Sequence, residues 1–152
     1  MAWTDPTVPN LTDFTTYATN QGVVASYTTS TSEYFDWAFN WAMSDAMTCG
    51  GNMPSIQYVH AVYNLGVDRF IRIAQDGTSG TFYQDQRAQF GILVFKPGVV
   101  MATGDQGTSD TLVVPDWYRN IPMNTQQLLK TPWGREYIGY AQMYGPYVVG
   151  VS

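Results

Sequence analysis

Between Pro54 and Asp76 the apolar residues Ile56, Val59, Tyr63, Val67, Phe70, Ile71 and Ala74 recur at helical spacing, with Asp68, Arg69 and Arg72 spread toward the polar side. A helix with such a stripe has to bury it, so neighbouring segments must supply layers against it. Pro54-Ser55 opens this helix and Asp76-Gly77 closes it. Gly66 sits inside it at a cost of about 1 kcal/mol relative to alanine, which predicts a close helix approach at that point.

The flanking segments read as helices too. Ser30-Thr31-Ser32-Glu33 has the pattern of a capping box, with the Ser30 hydroxyl accepting from a first-turn amide and Glu33 reaching back. From there Tyr34, Phe35, Trp37, Ala38, Phe39, Trp41, Ala42 and Met43 wrap more than one face of a helix that ends near Thr48, before Gly50-Gly51. Such a helix belongs in the core or between subunits. A shorter amphipathic helix runs from Leu11 to Gln21 and is ended by Gly22, behind an extended arm over residues 1–10. Toward the other end, Asn124 caps a short turn through Lys130. Thr131-Pro132 then places a cap before a proline at the first helical position, and Trp133, Tyr137, Tyr140, Ala141 and Tyr144 form an aromatic stripe closed by Gly145-Pro146.

The helical period is lost from Thr78 to Pro122. Ile92–Phe95 and Leu112–Val114 are strand-length apolar runs, with a loop over 104–110 between them. A long stretch of this kind is unusual inside a compact domain and reads as a projecting functional segment. The expected fold is therefore mainly α, one domain over residues 1–152. It is a small bundle of about four helices with a long irregular, short-strand insertion (78–122) between the third and the C-terminal helix, and an extended tail over 146–152.

Only 12% of the residues are charged, about half the share usual in soluble domains, while 45% are hydrophobic. Much of the surface must then be neutral polar or apolar, which suits a subunit that hides such surface in permanent contacts. The 11 tyrosines and 5 tryptophans point the same way, since large amphipathic rings are enriched in interfaces. They equally suit a sugar-stacking platform. A net charge of −5 with only seven basic residues, scattered along the chain, argues against gripping nucleic acid. Cys49 is the single cysteine, so no internal disulfide forms and a reducing compartment is expected. The first residues lack a secretory pattern, and no apolar run is long enough to span a bilayer.

No constellation for catalysis emerges. His60 is the only histidine and reads as a hydrogen-bonded structural residue. Cys49 lies at a helix end where the dipole disfavours thiolate, and reads as a small buried hydrophobe. Glu33 and Glu136, the only glutamates, both read as first-turn residues with a local structural reason to be there. Asp105 and Asp110 miss the spacing of a calcium loop. The expectation is no enzyme, no metal and no cofactor.

The stretch from Leu128-Leu129-Lys130-Thr131-Pro132-Trp133-Gly134-Arg135-Glu136-Tyr137 on to Tyr144-Gly145-Pro146-Tyr147-Val148-Val149-Gly150 resembles the C-terminal part of tailed-bacteriophage head-to-tail connector proteins. Tyr58 to Leu65 followed by Arg69 to Ile73 is similar to their central part, so the resemblance covers about half the chain. It implies a virion protein assembled in the host cytoplasm, a homo-oligomeric ring, contact with the portal protein and with a downstream tail or collar protein, and no enzyme activity. DNA would pass through such a ring without sequence-specific binding, and no membrane is involved. The long middle segment departs from the simplest helical adaptors, which leaves a collar or stopper component, or another minor virion protein, open as alternatives. A carbohydrate-binding module is the runner-up from a different class.

Two groups of residues carry the expected contacts. Tyr147, Val148, Val149, Gly150, Val151 and Ser152 form an extended apolar tail suited to adding a strand to a partner's sheet, the portal being the partner that the resemblance suggests. Trp117, Tyr118, Trp133 and Tyr137 are expected at the interface between subunits.

Overall fold

The computed structural model describes residues 7–46, 53–94, 99–102, 111–113, 116 and 120–144. Its elements are helices α1 (Leu11–Asn20), α2 (Glu33–Ala46), α3 (Ser55–Ile73) and α4 (Phe82–Gln89), strands β1 (Val99–Ala102) and β2 (Thr111–Val113), and helices α5 (Met123–Leu128) and α6 (Pro132–Tyr144). The fold is mainly helical, as the sequence predicts. The two strands form one antiparallel pair, with Val99 opposite Val113 and Val100 opposite Leu112.

Helix α3 is the axis of the domain. Every residue from Ala61 to Asp68 is buried, because α2, α6, α1 and α4 pack around it. The face that α2 turns toward α3 is narrow and mostly alanine, Phe35, Ala38, Ala42 and Ala46, so the two backbones can run close together. An aromatic series ties the layers: Phe14 of α1 meets Phe35 edge-on with centroids 6.4 Å apart, Phe35 stacks on Phe70 of α3 at 4.6 Å, and Phe70 meets Tyr83 of α4 at 5.6 Å. The close approach expected at Gly66 is present, and Phe14 makes it. A β-carbon added at Gly66 would lie 2.6 Å from the Phe14 ring, which is itself fully buried.

The helix starts follow the sequence at α1, α3 and α6 and shift at α2 and at α5. Helix α5 begins at Met123, so that Asn124, expected as its cap, lies inside it. Asn10, expected in the arm, caps α1, its Oδ1 accepting from the Asp13 amide at 2.8 Å, and its own amide donates to the Tyr63 hydroxyl at 3.2 Å. Thr131 caps α6 as expected, its Oγ1 accepting from the Gly134 amide at 3.0 Å. At α2 the cap is Ser32, whose Oγ accepts from the Tyr34 amide at 3.4 Å, and not Ser30. The helix begins only at Glu33, and both serines lie close enough to that start for the sequence to offer either.

The segment over 78–122 is not irregular throughout, since α4 lies within it. Its start carries no local cap because the capping group is remote: the Asp76 carboxylate accepts from the Tyr83 amide at 2.7 Å and from the Gln84 amide at 2.8 Å. Gly91, at φ +64°, ends it in a Schellman turn, with the Gly91 amide donating to Ala88 O and the Ile92 amide to Arg87 O. That turn is why Ile92 to Val94 do not form the expected strand, while Leu112 and Val113 do lie in β2. The 104–110 loop lies outside the described residues. Arg87 reaches back from α4 to the carbonyls of Ile71 and Ala74 at the end of α3, at 3.0 and 2.6 Å, so α4 closes the end of α3 while Asp76, between the two helices, closes the start of α4.

Asp68 departs most from the sequence reading. Expected on the polar side, it has no exposed surface. Arg72 Nε and Nη2 donate to its two oxygens at 2.9 and 3.2 Å, and the Thr131 hydroxyl donates to it at 2.5 Å. Arg72 also donates to Gln127 O at 2.6 Å, so one buried ion pair fastens α3 to the α5–α6 corner. At that corner a β-carbon on Gly134 would collide with the Leu128 carbonyl, which leaves glycine as the residue that fits.

Replacing Thr131 with valine should cost about 2 to 4 kcal/mol, because it removes both the α6 cap and a donor to a buried carboxylate. Urea unfolding should show a lower midpoint with an unchanged slope. Burial pushes the Asp76 carboxyl up, but hydrogen bonds from Tyr27 and from the Tyr83 and Gln84 amides outweigh it and hold the group below its ordinary value. A depressed carboxyl stabilises the fold above its unfolded value, about pH 4, and loses that contribution as pH falls through the folded value. Wild type should therefore be more stable than Asp76→Asn at pH 6, and the difference should vanish in urea melts taken toward pH 2.

Candidate functional site

The rotational phase of α2 decides what the domain shows to its surroundings. With Phe35, Ala38 and Ala42 turned inward, Trp37 and Trp41 fall on the opposite side, at 60% and 37% exposure. Trp41 is partly occupied by the chain itself. The Arg69 guanidinium lies over its ring, 4.3 Å from the centroid, and is held there by Asp45 at 3.1 Å. Trp37, one turn earlier, stands free of any such cover among the described contacts, beside the exposed carboxylates Glu33 and Asp36.

Next to this face opens a cleft of about 330 Å³, lined by Tyr27, Thr28, Thr29, Ser32, Glu33, Tyr34 and Gln75. Tyr27 is fixed within it. Its hydroxyl donates to Asp76 at 2.5 Å, its ring meets Tyr83 edge-on at 6.3 Å, and Gly80 lies against the ring edge with no room for a side chain at ordinary distance. Desolvation and the adjoining Asp76 push the Tyr27 phenol up to about 12. It stays protonated at any physiological pH.

Among the described residues the basic side chains bind oxygens of the domain itself. Arg69 and Arg72 pair with aspartates, Arg87 caps α3, and Arg135 donates to Leu129 O at 3.4 Å. Lys130 donates to the carbonyls of Gly91 and Val94 at 3.0 and 2.6 Å; burial and the nearby Arg72 charge lower its pKa. Every cation among the described residues thus has an internal oxygen partner, and the outward charge near α2 is negative.

Of the residues expected at subunit contacts, Tyr137 is 7% exposed and belongs to the chain's own core, so the interface role expected for it gives way to internal packing. Trp133 is half-buried, its indole N–H donating to Gln21 at 3.1 Å and its ring edge-on to Phe90 at 5.7 Å, which anchors it within the subunit. Trp117, Tyr118 and the tail Tyr147 to Ser152 lie outside the described residues. Tyr34 and Trp37 belong to the helix expected in the core or between subunits, and Tyr27 carries no such signal; the alternation of alanine and tryptophan along α2 tells its inner face from its outer one.

The candidate chemical residues have structural surroundings. His60 is half-buried, with its ring 6.5 Å from that of Tyr17, and its carbonyl accepts from Asn64 at 2.7 Å. Asn64, itself buried, accepts from the Tyr17 hydroxyl at 3.1 Å. Burial, then the Glu136 carboxylate, push the Tyr17 phenol up. Glu136 is not in the first turn of α6, as expected, but one turn later, because α6 begins at Pro132. Among the described residues no group of three His, Cys, Asp or Glu is placed to hold a metal ion, and no helix is long and apolar enough to cross a membrane. Cys49 lies outside the described residues.

Comparison with protein-family models, with curated proteins and with solved structures finds no match in any of the three.

Proposed function

We propose that the chain is a non-catalytic structural subunit that assembles with copies of itself and with partner proteins, in the manner of a head-to-tail adaptor ring joining a bacteriophage portal to its tail. The observation that carries the assembly part is the outer face of α2, where a tryptophan at 60% exposure stands opposite an alanine seam. Indole rings on a rigid helix are the side chains most often found at the centre of protein interfaces. The phage setting rests on the sequence resemblance alone.

In this reading α1, α2, α3 and α6 form the body of the subunit. The β1–β2 ribbon, a two-stranded pair whose outer edges have no partner among the described residues, reaches toward a neighbour. Leu93 and Val94, after α4, are exposed as well. A second reading, a carbohydrate-binding module, has the Tyr27–Tyr34 cleft in its favour, with hydroxyl and amide groups around two aromatic rings.

Replacing Trp37 with serine should leave the subunit folded, with a melting temperature lowered by no more than a few degrees, since more than half of the residue is exposed. Sedimentation velocity should show self-association weakened about tenfold or more, the size of an interface hot spot. A wild-type chain that stays monomeric at every concentration, alone and with a portal ring, would remove the support for this function.

A further inference from the structure

The internal trio of Trp41, Asp45 and Arg69 shows what the outer side of α2 binds. There an arginine lies on an indole face while a carboxylate one turn along the helix holds its charge, Trp41 and Asp45 being four residues apart. Glu33 and Trp37 repeat that spacing in reverse order, so the same helix face brings their side chains together. Among the described residues no arginine fills the place. Glu33 also lines the cleft with Tyr27 and Tyr34, so the carboxylate stands between two tyrosines on one side and an exposed tryptophan on the other.

The lining decides the sign of the occupant. It contains one carboxylate and no cation, and Asp76, outside the lining, adds a second negative charge at the Tyr27 hydroxyl. The Tyr27 hydroxyl is committed to Asp76, which leaves its ring as what the residue offers the cleft. Aromatic faces backed by carboxylates attract ammonium and guanidinium groups, and a rigidly held ring binds without first having to be ordered. The chain has no such group to spare among the described residues, because each cation there already has an internal oxygen partner.

We propose that the cleft between Tyr27, Glu33 and Tyr34, extended by Trp37, is a docking site for an arginine or lysine side chain on an extended segment of a partner protein. Only the identity of that segment's owner rests on the reading of the chain as an assembly subunit. The chemistry of the cleft stands apart from it, and so does its test.

The test uses the full chain with acetyl-Gly-Arg-Gly-amide as the probe and methyl β-glucoside as the competing class, followed by the aromatic carbon resonances of Tyr27, Tyr34 and Trp37. The arginine peptide should give saturable shifts at all three that weaken with salt, and the glucoside should give none. Glu33→Gln should lower the affinity about fivefold, and the surface change Gln75→Glu, which adds a carboxylate to the lining, should raise it by a similar factor. The second variant keeps the test decisive if the first disturbs the start of α2. Shifts with the glucoside in place of the peptide, no shifts with either, or an affinity indifferent to Gln75→Glu would each overturn the proposal. A chain that binds the peptide yet never self-associates would sink the assembly reading and leave this one standing.

Discussion

A carboxylate with no exposed surface holds this domain in its arrangement. Asp68 ends the continuously buried stretch of α3, and the structure can keep it there only because Arg72 and Thr131 satisfy it from two directions. Each of those partners has a second task. Arg72 also binds the Gln127 carbonyl at the end of α5, and the Thr131 hydroxyl also caps α6. The position of the C-terminal helix pair is thereby tied to one side chain of the central helix. A buried charge pair of this kind adds little net stability over an apolar pair, but it is costly to break, so it fixes which arrangement the helices adopt.

With α6 and α4 packed on α3 and α1 wedged in by Phe14, α2 lies on a further face of the axis, and its alanines set how close it comes. Its tryptophans then have nowhere to go but out. The exposed aromatic surface follows from how the interior is packed, and does not reflect a general surplus of apolar residues. The same economy applies to charge. The described arginines and Lys130 bind backbone carbonyls or pair with aspartates, so what the described residues bring to the surface around α2 is carboxylate and ring.

Much of this was legible in the sequence where the controlling group is local. Gly22 ends α1, Thr131-Pro132 starts α6, and Gly66 marks a close contact, because each acts through its own backbone or its immediate neighbours. What escaped is controlled from a distance. Helix α4 is capped by an aspartate several residues before it, and no local pattern announces that. Asp68 reads as a surface residue by type, and only the meeting of α3 with Thr131 makes burial tolerable. Tyr137 and Trp133 belong to the aromatic stripe of α6, and a stripe at helical spacing says that a face is covered without saying by what. Here the covering is largely internal.

If the chain assembles as proposed, the outer face of α2 is covered in the assembly. Hydroxyl-radical footprinting of the assembled and the dissociated chain measures that cover directly. Trp37 should oxidise readily in the free subunit and be several-fold protected in the assembly, while Met143, at 69% exposure on α6, should react alike in both and serve as the reference. Equal oxidation of Trp37 in the two states would contradict the account.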